Sequence, residues 1–503
     1  MRFAVKDTLT EEEIQRGLRT VIKDGLTTQA MVTLTGGVFL VAFAVKLGAS
    51  NLVIGLLAAI TPLAQLVQIP SIYLVEKYRV RRAITVYATA SSRIFWFFIA
   101  LIPFLFSTTE AELSFLLTAL FLYAAFGAVG SSSWNPWMHD LVPQDRLGVF
   151  FSRRMSLALA LGIPLSLAAG IYLDYWRTVF PDNEVYSYSI LFFFGFLAGM
   201  LGVYFISTIP EPRMVPVEEK TKFFKLISQP FKDVNFKKLI MFLGSWNFAV
   251  NLAAPFFTVY MLVRLQLGMS FIIALLVLSQ VTSLAFLRIW GRFSDRFSNK
   301  SVLGVSGPLF MLCILAWTFT TLPERYALTV PLLIAIHIVM GISTAGVTLA
   351  SGNIGLKLAP KGQAPAYLAA NSLVNSVMAG IAPILGGKFA DFFAERELSW
   401  TLRYTSPGGD LVIPTLNFQQ WDFFFFLAFL LGLYSIHRLA LVKEEGEVEE
   451  KILIQELLLE VKKPLSNFST ADGLRDMIQF PFSLVRTAFE KVGMRNNRKD
   501  GRE

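Results

Sequence analysis

The sequence predicts an all-α integral membrane protein in which about twelve transmembrane helices form two pseudo-symmetric six-helix bundles. Three observations support this prediction. Hydrophobic residues make up 54% of the 503-residue chain, whereas charged residues make up 16%. About twelve apolar stretches reach roughly 20 residues, the length needed to cross ~30 Å of hydrocarbon. Two basic loops, at residues 72–82 and 291–300, occupy matching places in the two halves of the chain.

The expected spans cover residues 29–48, 51–75, 83–107, 112–137, 154–176, 186–208, 239–263, 268–290, 301–321, 330–355, 365–387 and 419–440. Lys and Arg concentrate in alternate connecting segments, which by the positive-inside rule places both termini in the cytoplasm. We therefore expect a multi-pass protein of the plasma (inner) membrane. We attribute its net charge of +9 to the Lys and Arg residues that set this orientation and that contact anionic lipid at the cytoplasmic face. No nucleic-acid partner is expected, because no basic cluster lies on a soluble domain.

The chain divides into five expected regions. The first is a cytoplasmic amphipathic segment in which Thr10 and Glu13 form a capping box, and no removable signal peptide is visible. Two bundles follow, separated by a Pro- and Lys-rich cytoplasmic linker, and the chain ends in an amphipathic, partly disordered cytoplasmic tail. The boundaries, in this order, are 1–28, 29–208 for the N-terminal bundle, 209–238 for the linker, 239–440 for the C-terminal bundle and 441–503.

The two halves of the chain repeat each other. Glu76 and Asp295 lie at equivalent points of the two basic loops. Pro143 and Pro360 follow the fourth and tenth spans, and their separation along the chain is almost the same as that of Glu76 from Asp295. Two independent offsets that agree so closely indicate an internal duplication, which in a membrane chain is the mark of a secondary transporter.

The second basic loop resembles the signature loop of the major facilitator superfamily, Gly-x-x-x-Asp-Arg-x-Gly-Arg-Lys/Arg. It departs from that signature at Ser298 and Asn299 and matches it at Gly291, Asp295, Arg296 and Lys300. The first copy is decayed, with Ile72, Glu76 and Lys77 in place of Gly, Asp and Arg. The resemblance covers about residues 30–440. It implies the twelve-helix fold of that family, working by a rocking motion of its two halves.

The basic loops also predict a conformational latch between the halves. An acidic side chain stabilises a helix N-terminus, and an Arg binds carboxylates or lipid phosphates as a fork. The expected latch residues are Gly291, Arg292, Asp295, Arg296, Lys300, Glu76 and Arg81. Simple positive-inside anchoring is the alternative. Glycine and proline allow helices to bend, and the expected hinges are Gly162, Pro164, Gly380 and Pro383.

Few ionisable groups fall at membrane depth, where they are costly and functional. The carboxylates Asp140, Asp174, Asp391 and Asp422 all lie near span ends, and none falls near the middle of a span. Amides and indoles would instead suit a neutral, hydroxyl-rich or amphipathic solute. The candidate cavity residues are Asn247, Asn251, Asn371, Asn375, Gln65, Gln280, Trp134, Trp246, His337 and Arg93. Interhelical hydrogen bonding is the alternative role for the amides.

We therefore expect a secondary transporter of a small organic solute, with a possible coupling ion and a monomeric state. A lipid or lysolipid transporter of the same fold is one alternative, and a non-transporting membrane sensor or scaffold that signals through the tail is another. An enzyme is not expected. The sequence shows no Walker loop and no Ser/His/Asp arrangement, and it has only three His and one Cys to bind a metal. No cofactor and no metal site is predicted.

Overall fold

The computed structural model describes residues 5–7, 9–143, 146–214, 228–321, 324–360, 363–406, 409–448 and 451–458. Twelve helices in these ranges are long and apolar enough to cross a membrane. Residues 215–227 of the expected linker and most of the expected tail lie outside the described residues. The spans, numbered first to twelfth, are Glu11–Lys46, Asn51–Tyr78, Arg81–Ala100, Thr109–Leu141, Leu147–Val179, Pro181–Thr208, Val234–Arg264, Met269–Arg296, Asn299–Trp317, Thr329–Leu358, Ala366–Phe392 and Trp421–Ala440.

The first span begins much earlier than residue 29. Its helix runs unbroken from Glu11 to Thr35, and the predicted capping box of Thr10 and Glu13 starts it. The helix therefore continues across the boundary expected at residue 28, and Val21 and Asp24, which precede that boundary, are buried inside the bundle. The helix is interrupted instead at Gly36 and Gly37, where Gly37 has a φ of +55° that disfavours other residues. A second helix, Gly37–Lys46, completes the span.

The spans alternate in direction and give the molecule two faces. We call one face the tail side, where residues 209–214, the loop 291–300 and the segment 441–458 lie. We call the other the hairpin side, because it carries an antiparallel pair of strands, β1 (Glu397–Ser406) and β2 (Gly409–Gln419). The hairpin joins the eleventh and twelfth spans. This hairpin was not predicted from the sequence.

On the tail side, the segment that follows the last span of each half caps the start of another helix in that half. After the sixth span, Glu211 accepts hydrogen bonds from the backbone N–H groups of Arg81 and Arg82 at 2.6 and 3.1 Å. After the twelfth span, Glu444 accepts from the N–H groups of Asn299 and Lys300 at 3.3 and 2.7 Å. These N–H groups open the third and ninth spans and have no partner within their helices. The duplication therefore extends beyond the spans to the segments that cap them.

Two pairs of spans join the N-terminal half (first to sixth) to the C-terminal half (seventh to twelfth). The second span packs on the eleventh, and the fifth packs on the eighth. Glycines permit the close approach, since a Cβ on Gly55 would lie 2.1 Å from the carbonyl oxygen of Pro383. A Cβ on Gly380 would lie 2.5 Å from the side chain of Leu63. These contacts run from the centre of the bundle towards the hairpin side.

Candidate functional site

A cavity of about 340 Å³ lies between the two halves. Pro62 of the second span contributes one wall, and the seventh and eleventh spans contribute the others. The lining residues are Pro62, Asn247, Leu368, Asn371, Ser372, Asn375, Ser376 and Ala379. All the eleventh-span members precede Gly380, where that span packs against Leu63. The cavity therefore lies on the tail side of the contact between the halves.

Three of the four predicted asparagines line this cavity. Asn371 and Asn375 lie one turn apart on the eleventh span, and Asn375 Nδ2 is 3.4 Å from Asn371 Oδ1. Asn247 Nδ2 donates to the carbonyl oxygen of Leu243 at 2.8 Å. The Oδ1 atom of Asn375 is buried and has no hydrogen-bond partner among the described residues. The groups that line the cavity include the amides of Asn247, Asn371 and Asn375 and the hydroxyls of Ser372 and Ser376, and such groups can both donate and accept hydrogen bonds.

The fourth asparagine and both glutamines do not belong to the lining residues of this cavity. Asn251 donates through Nδ2 to the carbonyl oxygen of Asn247 at 2.8 Å, which is a contact within its own helix. Gln65 and Gln280 are exposed. Gln65 accepts a hydrogen bond from its neighbour Gln68.

The predicted aromatic and histidine candidates pack elsewhere. Trp246 is 6% exposed and lies against Phe310 of the ninth span, with ring centroids 5.7 Å apart. His337 is 2% exposed, and its Nδ1 lies 2.8 Å from the carbonyl oxygen of Leu333. These environments are those of packed side chains within the C-terminal half. Trp134 lies in the N-terminal half, where the guanidinium of Arg154 stacks over its ring, 5.2 Å from the ring centroid.

Arg93 belongs to a buried ionic cluster that sequence reasoning missed. Its Nη2 lies 3.8 Å from Asp24 Oδ1, and both side chains are at most 6% exposed. Arg93 also donates to the carbonyl oxygen of Gly199 at 2.6 Å and to Thr28 Oγ1 at 2.8 Å. Arg154 approaches the other oxygen of Asp24 at 3.3 Å. Asp24 lies in the part of the first helix that was assigned to a surface segment, and the structure shows it as a buried carboxylate inside the N-terminal half.

Two of the predicted latch residues of the second basic loop, Arg296 and Lys300, contact the chain's own tail segment. Arg296 pairs with Glu456 at 3.4 Å, and Lys300 pairs with Glu447 at 2.7 Å. Gly291 lies in the eighth-span helix against Leu349 of the tenth, while Asp295 and Arg292 are exposed. These ion pairs hold the segment 441–458 on the C-terminal half.

In the first basic loop, Arg81 is buried and makes its contacts within the N-terminal half. It pairs with Asp140 at 2.5 Å and with Glu211 at 3.6 Å, and it donates to the carbonyl oxygen of Pro212 at 2.8 Å. Burial raises the pKa of the Glu211 carboxyl, while hydrogen bonds from the two arginine N–H groups and the charge of Arg81 oppose that rise. Glu76 is exposed at the end of the second span. In this structure Arg81 ties the third and fourth spans to the start of the linker.

The predicted hinge residues lie within helices that continue past them. Gly162 and Pro164 fall inside the helix Leu147–Val179, and Gly380 and Pro383 inside Ala364–Phe392. A Cβ on Gly162 would lie 2.9 Å from Gln29 Nε2 of the first span. In this structure, Gly162 therefore allows close packing within the N-terminal half, and Gly380 allows it between the halves.

Known proteins share both the sequence pattern and the fold of this chain. A family model described as Major Facilitator Superfamily matches residues 25–383. The uncharacterized MFS-type transporter YxiO of Bacillus subtilis (strain 168) is 22% identical over 285 residues, which are 53% of this chain. The match spans 63% of the length of that curated relative.

Solved structures share the fold at low identity. A mutant form of the nucleoside transporter NupG superposes with a TM-score of 0.59 at 15% identity, covering 86% of this chain and 100% of that one. A bacterial homologue of the iron transporter ferroportin, in an inward-facing state, gives 0.57 at 13% identity, covering 85% and 98%. At these identities the likeness establishes the architecture alone.

Proposed function

Because this chain belongs to the major facilitator superfamily, we propose that it is a secondary transporter that moves a small, neutral, polar organic solute by alternating access between its two halves. The chain is a multi-pass integral membrane protein, and its described residues include twelve helices that are long and apolar enough to cross a membrane. The observation that supports a polar solute is the cavity at the interface, whose lining contains three asparagine amides and two serine hydroxyls. Hydroxyl or amine groups of the solute would exchange hydrogen bonds with these amides and hydroxyls.

The cavity's chemistry supports a neutral solute. Its side chains are amides, hydroxyls and apolar groups, and no Asp, Glu, Lys or Arg is among the residues that line it. A volume of about 340 Å³ falls at the lower end of the ~300–1,000 Å³ that ligand pockets occupy. We therefore favour a molecule that carries several hydrogen-bonding groups and no net charge, such as a monosaccharide or a nucleoside. NupG, which shares the fold, is a nucleoside transporter.

The tail side is, in this proposal, the cytoplasmic side. The positive-inside rule supports this orientation, because the segments on the tail side carry most of the Lys and Arg. With the halves in contact towards the hairpin side and the cavity on the tail side, the structure then corresponds to an inward-facing state. Labelling of the variant Trp400→Cys by an impermeant maleimide on intact cells tests the orientation, since Trp400 of β1 is 70% exposed. Labelling only after cell lysis would reverse it.

A ligand screen tests the proposed solute class. The purified protein in nanodiscs is heated with nucleosides, monosaccharides, amino acids, lysolipids and anionic lipids, because a ligand that binds the native state raises the melting temperature. We expect a shift with a neutral polar solute that is lost in Asn375→Ala. Ser245→Ala is the matched control, since Ser245 also lies on a cavity-lining span but pairs with Ser435 of the twelfth span at 2.9 Å.

The outcomes of the screen separate the alternatives. A shift produced by lysolipid alone and unchanged in Asn375→Ala would favour a lipid transporter of the same fold. A sensor that signals through its tail would bind a ligand but lose its output when residues 459–503 are removed, whereas transport would survive that truncation. A solute shift that is insensitive to Asn375→Ala would contradict the assigned cavity.

A further inference from the structure

Two aspartates occupy matching positions at the hairpin-side ends of the spans that join the halves. Asp174 lies in the last two turns of the fifth span and Asp391 in the last turn of the eleventh. Their separation along the chain equals that of Pro143 from Pro360. A glycine precedes each by one helical turn, and these two glycines, Gly170 and Gly387, have the same separation again. The duplication has therefore placed the same Gly-x-x-x-Asp sequence on both spans.

Each aspartate accepts hydrogen bonds from the first turn of a helix in the opposite half. Asp174 of the N-terminal half accepts from the backbone N–H groups of Met269 and Ser270, at 2.7 and 2.8 Å, at the start of the eighth span. Asp391 of the C-terminal half accepts from the N–H groups of Asn51 and Leu52, at 3.1 and 2.9 Å, at the start of the second span. Each half thus gives one carboxylate and receives one.

Helix N-termini need such partners, because their first N–H groups have none inside the helix and carry the positive end of the helix dipole. The eighth span begins after Gly268, which offers no side chain to cap it. Asp174 therefore supplies from the other half the cap that the local sequence lacks. The Asn51 side chain adds a third contact to Asp391, from Nδ2 at 2.9 Å.

The glycines let the backbones come close enough for these contacts. A Cβ on Gly387 would lie 2.3 Å from the carbonyl oxygen of Asn51, and one on Gly170 would lie 2.6 Å from the side chain of Ile273. A glycine at each site is the residue that leaves room for the neighbouring helix. Glycine and aspartate lie on the same helix face, so each pair forms one contact surface.

We propose that Asp174 and Asp391 are a repeat-related pair of positioning residues that latch the hairpin side shut, and that their release from the helix N-termini is required for the cavity to open to that side. The proposal rests on the alternating access proposed above. When the halves separate, the hydrogen bonds between four backbone N–H groups and two carboxylates break, and these groups are hydrated instead. The latch therefore favours the state seen here and sets how often the opposite state is populated.

The experiment measures the conformational equilibrium with spin labels on each face. One pair is placed at the exposed residues Val179 and Leu328 on the hairpin side, and the other at Tyr78 and Leu356 on the tail side. Each pair spans the two halves, and the single native cysteine, Cys313, is buried. Distance distributions by double electron–electron resonance are recorded in nanodiscs. The variants are Asp174→Asn, Asp391→Asn and the double variant, in which the amide keeps the shape but has one acceptor oxygen and no charge.

Each single variant is expected to raise the ratio of hairpin-side-open to hairpin-side-closed molecules about fivefold, the effect of losing a good helix cap. The double variant should raise it about 25-fold, because the two contacts lie on different span pairs and add independently. The label pairs should respond in opposite directions, with Val179–Leu328 lengthening and Tyr78–Leu356 shortening. Glu184→Gln is the control, since Glu184 pairs with Lys46 within the N-terminal half at 2.7 Å on the same face.

The outcomes distinguish failure of the proposed latch from failure of the proposed alternating access. If the wild-type protein shows two states but the aspartate variants leave their ratio unchanged, the latch is overturned while alternating access stands. A single distance at both label pairs in every variant, with and without the solute found in the screen, would overturn alternating access itself. A merely structural role would lower the melting temperature without moving the ratio. If Asp391→Asn does not fold, Ser270→Ala, which removes a hydroxyl donor to Asp174, tests the same prediction.

Discussion

Asp24 holds a buried cationic cluster together, and its removal has a calculable cost. The Asp24→Ala variant leaves Arg93, which is 5% exposed, with no opposite charge. Arg154, 3.3 Å from the same carboxylate, then adds a second uncompensated cation nearby. Breaking a buried ion pair by removing one partner costs about 3–5 kcal/mol. For a half of this size, 1 kcal/mol corresponds to about 2–4 °C, so we expect the melting temperature to fall by about 10 °C.

The assay is thermal unfolding of the protein in nanodiscs, followed by intrinsic tryptophan fluorescence. Glu12→Ala is the matched control on the same helix, because Glu12 and Arg16 form an ion pair whose side chains are 85% and 75% exposed. Such exposed pairs contribute little, so this variant should melt with the wild type. The double variant Asp24→Asn/Arg93→Gln should lose less than the two single variants summed, which is the signature of direct coupling. An Asp24→Ala protein that melts within about 2 °C of the Glu12→Ala protein would refute the reasoning, since that shift is worth at most about 1 kcal/mol.

Three further substitutions test the contacts described above. Gly446→Ala should release the segment 451–458 and speed its cleavage by trypsin, because Gly446 has a φ of +86° and a Cβ there would lie 2.5 Å from the carbonyl oxygen of Phe297. Glu444→Gln should cost about 1–3 kcal/mol in thermal stability, since the buried carboxylate accepts from the start of the ninth span. Gly387→Val should shift the spin-label distances towards the hairpin-side-open state, because its Cβ would meet the carbonyl oxygen of Asn51.

Each of these expectations has a result that would contradict it. Glu447→Gln is the control for Glu444→Gln, since Glu447 is half exposed and pairs with Lys300 at the surface. Equal stability of these two variants would show that the cap on the ninth span is unimportant. Unchanged trypsin cleavage in Gly446→Ala would mean that the tail segment is held by contacts other than those of this turn. Unchanged distances in Gly387→Val would show that the second and eleventh spans tolerate the added side chain without separating.

The fold could be predicted because long apolar runs and an internal duplication of the sequence determine it. The family match and the twelve spans confirm that prediction. The capping box at Thr10 is confirmed as well, since a cap is a local pattern of a few residues. The β-hairpin was missed, although Leu398, Trp400, Leu402 and Tyr404 alternate with polar residues before the sequence Pro-Gly-Gly. A search limited to apolar stretches treats such a segment as a loop.

The ionic parts of the molecule were harder to predict. Asp24 lies in the charged N-terminal part of the first span, outside its apolar stretch, so its burial depends on tertiary packing that hydropathy cannot show. The available signal was Arg93, because a lone cation at membrane depth requires an acidic partner. Asp174 and Asp391 were recognised only as carboxylates near span ends. Their partners are backbone N–H groups of distant helices, and a sequence pattern does not reveal which helix start a carboxylate will meet.

The most direct test of the central claim is solute exchange in proteoliposomes. The protein is reconstituted with an unlabelled excess of the solute found in the thermal screen, and entry of the radiolabelled solute is followed. We predict that the wild-type protein and Ser245→Ala accumulate label transiently by counterflow, that Asn375→Ala does not, and that empty liposomes remain at background. Binding of the solute without any counterflow in the wild-type protein would contradict alternating access and would favour a sensor.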